Sequence, residues 1–172
     1  MAGFYTEADY ENSVIELFQN MGYRHVYAPD LERDFKSPLY EDKLDETLQS
    51  FRIRICRRTQ FTMLLYKLRN FENAEIVQKT LFLMDYIQHG VEVRYFVKGE
   101  ERSGLVYLVD YKNPDNNSFI VANQWTFIEN STKRPDVLLF LNGMPVVLVE
   151  LKSPSREETD ASEAYTQIRN YM

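Results

Sequence analysis

Residues 134–152 read Arg-Pro-Asp-Val-Leu-Leu-Phe-Leu-Asn-Gly-Met-Pro-Val-Val-Leu-Val-Glu-Leu-Lys, and no other stretch of the chain restricts its folding so tightly. Two apolar runs meet at Asn142-Gly143, the strongest short-range signal for a β-hairpin. Asp136, Glu150 and Lys152 stand at the ends farthest from that turn. Val146 to Val149 is apolar at every position instead of alternating, which predicts a strand covered on both faces near the middle of a sheet. Charges at the end of such a strand need a reason. An unpaired ionised carboxylate there costs several kcal/mol or is driven to its neutral form, whereas two carboxylates sharing a divalent cation stay ionised.

Hairpin register sharpens this expectation. With a plain two-residue turn at Asn142-Gly143, Asp136 would face Val149, and Asp136 and Glu150 would fall on opposite sides of the sheet. A shared cation demands an odd offset, from a three-residue loop or a bulge, so that Asp136, Glu150 and Lys152 point the same way.

At 172 residues the chain is expected to form one domain able to bury well over half of its unfolded surface. Its composition, 44% hydrophobic with six Gly and six Pro, excludes a low-complexity or disordered chain. The single Cys56 excludes an internal disulfide and fits a reducing compartment, and no basic leader or long apolar run precedes the fold, so a cytoplasmic protein without a membrane span is expected. A net charge of −6 disfavours strong DNA binding by the chain alone, because non-specific affinity comes from lysines and arginines meeting phosphates. That charge is uneven. Residues 1–50 hold eleven acids and four bases, while residues 51–70 hold Arg52, Arg54, Arg57, Arg58, Lys67 and Arg69 and no acid. Two readings of the basic block stand: a phosphate-contacting stripe, or a solvated helix face paired with the acidic first third.

Thr6–Met21 carries Val14, Ile15, Leu17, Phe18 and Met21 at helical spacing, with Gly22 as its stop, and Glu11 shares the inward face. On pattern alone, Glu11 reads equally as a surface acid near the helix N-terminus. Pro29–Pro38 reads as loop. Leu39–Arg58 and Thr62–Asn70 read as helical, although the alternation of Phe51, Ile53 and Ile55 also suits a short strand. A helix capped by Asn73 runs to Gly90, and strands follow at Val91–Val97, Leu105–Tyr111 and Ser118–Phe127, with turns at Gly99, Gly104 and 113–117. Arg156–Met172 reads as a last helix. The order predicts an α/β fold bordering on α+β, with a mixed β-sheet flanked by helices.

Magnesium prefers oxygen ligands and keeps several waters, so one or two carboxylates plus substrate phosphate oxygens complete a site. Asp136 and Glu150 supply those oxygens, and the backbone carbonyl of Leu151 offers a third. Lys152, two residues beyond Glu150, would place an ammonium against the attacking water or the charge building on a phosphate. Gln167 and Tyr171 are four apart on the last helix and share a face. His25 and His89 match no metal spacing, Ser153 and Ser155 have no base beside them in sequence, and Trp125 and the tyrosines read as core.

Asn123-Gln124-Trp125-Thr126, Arg134-Pro135-Asp136, Asn142-Gly143-Met144-Pro145 and Glu150-Leu151-Lys152-Ser153-Pro154 together resemble the N-terminal nuclease domain of the restriction (R) subunit of type I restriction-modification enzymes, a branch of the PD-(D/E)xK nuclease superfamily. Upstream, Glu11, Leu17 and Met21-Gly22-Tyr23 resemble the family's opening helix. Downstream, Gln167-Ile168-Arg169-Asn170-Tyr171 resembles its Gln-x-x-x-Tyr motif. The resemblance implies a restriction-endonuclease-like core and a type I site-specific deoxyribonuclease that cuts double-stranded DNA without reading sequence itself. It implies Asp136 and Glu150 as metal ligands, Lys152 as catalytic lysine, Glu11 as an accessory acid at the metal or its waters, and Gln167 and Tyr171 at the site or its DNA contacts. Mg2+, replaceable by Mn2+, would be the cofactor. No Walker-type loop is present, so ATP use and most docking to the methyltransferase (M) and specificity (S) subunits would belong to further domains, with residues 1–172 an N-terminal fragment of a longer translocase subunit. Two other readings remain: a catalytically inactive nuclease-like docking module, and a nuclease of another branch of the superfamily.

Overall fold

Among the described residues, helix, strand and turn signals lead to these α-helices and β-strands: α1 (Glu7–Asn20), β1 (Arg24–Tyr27), α2 (Glu41–Ser50), α3 (Arg58–Arg69), α4 (Ile76–His89), β2 (Val91–Val97), β3 (Glu100–Val106), β4 (Phe119–Asn123), β5 (Phe127–Ile128), β6 (Thr132–Lys133), β7 (Val137–Leu141), β8 (Met144–Val149) and α5 (Ala161–Tyr171). The computed structural model describes residues 6–51, 58–71, 75–128, 131–152 and 161–171. Its contacts divide the chain into two compact units, Met1–Tyr40 with Phe119–Met172, and Glu41–Ser118.

The first unit is built on a four-stranded mixed sheet of order β1-β4-β7-β8, in which β1 runs parallel to β4 and the other pairs are antiparallel. This is an α/β nuclease-like core. Thr6 starts α1: its hydroxyl accepts the Asp9 N–H and its own N–H donates to the Asp9 carboxylate, first among the contacts that hold Asp9 below the usual carboxylate range. Gly22, at φ +94°, ends the helix in a Schellman turn, with Gly22 N–H on Gln19 O, Tyr23 N–H on Phe18 O, and the Phe18 and Tyr23 rings 5.2 Å apart. Val14, Ile15 and Phe18 pack on Val121, Val137 and Leu139 of the sheet. Leu17 and Met21, expected on that apolar face, are exposed.

The opposite face of the sheet buries Ile120, Ala122, Trp125, Leu138 and Phe140, with Tyr40 packed against them. Trp125 is fully buried, its ring 4.5 Å from that of Phe140, and burial of side chains this large contributes roughly 1.5–3 kcal/mol each. The Arg33 guanidinium lies 4.0 Å over the Trp125 ring and donates to Thr126 O; burial pulls its pKa down, and Asp34 opposes that. Trp125 is core as expected, but Tyr27, Tyr66, Tyr107, Tyr111 and Tyr165 are exposed. A phenol tolerates water at its polar tip, so strand or helix placement alone does not bury these rings.

The second strand of the hairpin departs from its expected place. Among the described residues β8 is an edge strand, and Val146 and Val147 are 44% and 46% exposed, whereas β4 and β7 form the buried centre. An unbroken apolar run does not distinguish edge from centre. Pro145 does: it has no N–H for a ladder and is tolerated at edges and bulges.

In the second unit, Leu44, Leu48, Leu64, Leu68, Val91, Val93, Val106 and Leu108 are buried. The β2–β3 hairpin turns at Lys98-Gly99, both at positive φ, and pairs Val97 with Glu100. This corrects the expected strand at Leu105–Tyr111 and the turn at Gly104. Gly104 is paired with Val93 inside β3, where a Cβ would meet the Tyr95 ring at 3.4 Å. The cap of α4 is Glu75, whose N–H donates to Gln78 Oε1; Asn73 lies outside the described residues. Lys67 donates to Glu92 O and Arg69 pairs with Glu41, so two cations of the basic block are engaged within this unit. Arg52, Arg54, Cys56 and Arg57 lie outside the described residues, as does the side chain of Arg58. Among the described residues no helix is long and apolar enough to cross a membrane.

Candidate active site

Asn142 and Gly143 both take positive φ, 53° and 85°, and close a two-residue turn that pairs Leu141 with Met144. Left uninterrupted, this register would separate the two carboxylates. It is interrupted between Leu139 and Phe140: Phe140 faces Pro145, but Leu139 faces Val147, leaving Val146 as the extra residue of a β-bulge. From there Leu138 faces Leu148 and Val137 faces Val149, so one step outward sets Asp136 opposite Glu150. Directly opposed residues of an antiparallel pair project from the same face.

Local contacts hold these residues at the sheet end. Asp136 Oδ2 accepts the Leu151 N–H at 2.7 Å, and the Asp136 carbonyl accepts the Gln124 N–H at 3.3 Å. The Glu150 side chain is only 1% exposed, although its main chain is partly open to solvent. Lys152 Nζ stands 3.6 Å from Glu150 Oε1, an ion pair longer than a direct hydrogen bond. The same ammonium donates to Gln167 Oε1 of α5 at 2.6 Å. A buried ion pair is poor evidence of stabilisation, because desolvation can exceed the Coulombic gain.

Glu11 belongs to a second set of contacts. Its Oε1 accepts Asn123 Nδ2 at 2.6 Å, and its Oε2 accepts Gln124 Nε2 at 3.1 Å. Asn123 is buried, with its Oδ1 2.9 Å from His25 Nε2 on β1. Gln124 sits at φ +57°, a conformation that costs a non-glycine residue about 1–3 kcal/mol and recurs at functional sites. The sequence assigns no role to Asn123 or Gln124 beyond their place in a motif, and leaves His25 isolated. The one signal it holds is a polar pair ending the apolar run Phe119–Ala122. β1, which carries His25, is not foreseen either; a four-residue edge strand leaves little periodicity to read.

Among the described residues no three His, Cys, Asp or Glu side chains gather closely enough to hold a cation by themselves. The donor chemistry at the strand ends nevertheless fits a hard divalent ion: two carboxylates opposed by the register and one main-chain carbonyl between Glu150 and Lys152 suit a metal that completes its shell with water and phosphate oxygens. Gln167 is brought to Lys152. Tyr171 ends α5, but its side chain lies outside the described residues, as do Ser153 and Ser155. His89 bonds Asp85 at the end of α4, 2.8 Å away.

Comparison with known proteins identifies the family. The sequence model of the family described as Type I restriction enzyme R protein N terminus matches residues 4–172. The HindI type I restriction enzyme endonuclease subunit of Haemophilus influenzae is 25% identical over 175 residues, covering 96% of this chain and 16% of that protein. The subunit named MjaIXP in Methanocaldococcus jannaschii is 27% identical, covering 94% of this chain and 16% of the relative. That named SauMSSORF170P in Staphylococcus aureus is 27% identical, covering 98% and 17%. The chain thus spans about a sixth of the length of the curated relatives it matches. With the family's sequence model running from residue 4 to the last residue, over an α/β nuclease-like core, the chain belongs to the family of type I restriction enzyme R protein N-terminal domains.

Proposed function

We propose that this chain is the metal-dependent nuclease module of a type I restriction enzyme, hydrolysing phosphodiester bonds of double-stranded DNA without reading sequence itself. The observation that carries the reading is the bulge at Val146, because it gives Asp136 and Glu150 the register that a shared cation needs. Relatives named as endonuclease subunits support the same assignment.

Asp136, Glu150 and the Leu151 carbonyl would hold Mg2+, with Mn2+ able to substitute. Bound there, the ion would supply a water of lowered pKa and polarise a phosphoryl oxygen. Lys152 has three N–H donors; one meets Gln167 Oε1, which aims the ammonium, and the others can neutralise charge on the phosphate in flight. Glu150 sets the ammonium from the other side. Tyr171, one turn beyond Gln167, lies in sequence where it can touch the same DNA. With a net charge of −6, the module would depend on other parts of the enzyme for DNA affinity. ATP-driven translocation and docking to the M and S subunits fall to those parts, in a prokaryotic cytoplasm.

Titration of Mn2+ into the full-length subunit tests the reading. Saturable binding is expected in the native protein and at least ~10-fold weaker binding in Glu150→Gln, since one of few hard ligands is lost. Equal binding in both, or none in either, would favour a nuclease-like docking module that has lost catalysis.

A further inference from the structure

Glu11 is linked to the candidate site through one main-chain bond. Its carboxylate accepts the side-chain amides of Asn123 and Gln124, one on each oxygen. Gln124 in turn donates its backbone N–H to the Asp136 carbonyl. The chemistry of the amides fixes a direction along this chain. A carboxylate only accepts, so Asn123 must present Nδ2 to Glu11 and turn Oδ1 to His25, whose Nε2 must then carry a proton and donate. Asn123 is 7% exposed and its bonds to Glu11 and His25 are part-buried, so an unmade bond at Asn123 is costly.

Gln124 is the strained member. At φ +57° it persists only because its surroundings hold it, and two contacts do so: its side chain on Glu11 and its N–H on Asp136. We propose that Glu11 is a positioning residue: backed by His25 and Asn123, it pins Gln124 in the left-handed conformation, and Gln124 thereby fixes the main chain of Asp136. On this account Glu11 acts through hydrogen bonds and not by touching cation or DNA. The inference rests on the nuclease reading of Asp136.

An exchange of polarity tests it in the full-length subunit assembled with its partners. Glu11→Gln removes the charge but lets every bond form again, because Asn123 can turn over and His25 can change tautomer, whereas Asn123→Asp sets carboxylate against carboxylate. In the double variant every bond can form again. The carboxylate introduced at position 123 accepts from His25 and from the new amide nitrogen at position 11, and the amide oxygen at position 11 accepts from Gln124. Glu11→Gln is expected to lower DNA cleavage no more than about threefold, whereas Asn123→Asp is expected to lower it about 10–100-fold, the range for residues that orient a metal ligand. In Asn123→Asp thermal stability should fall and hydrogen exchange at the Gln124 amide should quicken in the metal-free protein. The double variant should return cleavage to within about threefold of the native protein and restore both other readouts. Native-like stability and protection with cleavage strongly reduced in Glu11→Gln and in the double variant would overturn the proposal, because the charge of Glu11 would then act on substrate or cation. His25→Ala and His25→Gln form a second arm. Gln can supply the N–H that Asn123 accepts, so cleavage should fall in the first and recover in the second, and equal loss in both would overturn the relay. Retained cleavage in Asp136→Ala would instead remove the nuclease reading itself, so the two failures are distinguishable.

Discussion

Replacing Asp136, Glu150 or Lys152 by alanine in the assembled complex is expected to lower DNA cleavage by roughly 10²–10³-fold or more while ATP hydrolysis continues at its native rate. Each change removes a different part of the proposed site, and their structural effects differ enough to separate chemistry from folding. Glu150→Ala takes the partner from Lys152, but that ammonium is 26% exposed and can rehydrate, so the fold should lose only moderate stability. Asp136→Ala leaves the Leu151 N–H without its acceptor at a cost of about 1–3 kcal/mol; Asp136→Asn keeps an acceptor there and isolates the loss of charge. Lys152→Ala removes the cation nearest Glu150 and the donor to Gln167 together, and should be the least stable of the three. Melting curves beside the cleavage assay check this order. Cleavage near the native rate in all three would end the assignment.

Inserting one alanine after Val146 should abolish cleavage almost as completely without touching any charged residue. With the bulge kept at Val146, the added residue takes the place of Val147 opposite Leu139, so every later side chain moves by one position and changes face. Val147, Leu148 and Val149 are apolar and can exchange faces at moderate cost, about 1–3 kcal/mol for imperfect repacking against Leu138 and Leu139. Glu150 and Lys152 cannot exchange without consequence, because they would leave the face of Asp136. A well-folded insertion variant with cleavage reduced at least ~10²-fold is the expected result, read by melting temperature and DNA nicking together. Val146→Ala keeps the residue count and should retain activity, since that side chain is 44% exposed.

Much of this is legible without coordinates. The need for an odd hairpin offset comes from placing two carboxylates on one face, and the bulge at Val146 supplies it. The span of α1, the extent of β2 and the family itself are likewise readable, because strong periodicity, Gly22, Gly90 and several spaced motifs all agree. What escapes has physical causes. The edge position of β8 is masked by an apolar run that outweighs the warning of Pro145. β3 is shifted because Gly104 reads as a turn, whereas the positive φ values fall at Lys98 and Gly99. The network of His25, Asn123 and Gln124 around Glu11 joins residues about a hundred positions apart, and no local pattern encodes such a pairing.

The central claim is that residues 136 and 150 share one cation, and a crystal of the protein soaked in manganese tests it most directly. The account predicts an anomalous peak bonded at about 2.0–2.3 Å to one oxygen of Asp136, one of Glu150 and the Leu151 carbonyl, with waters completing the shell. Manganese bound to only one of the two carboxylates, or bound elsewhere with these side chains turned apart, would contradict it.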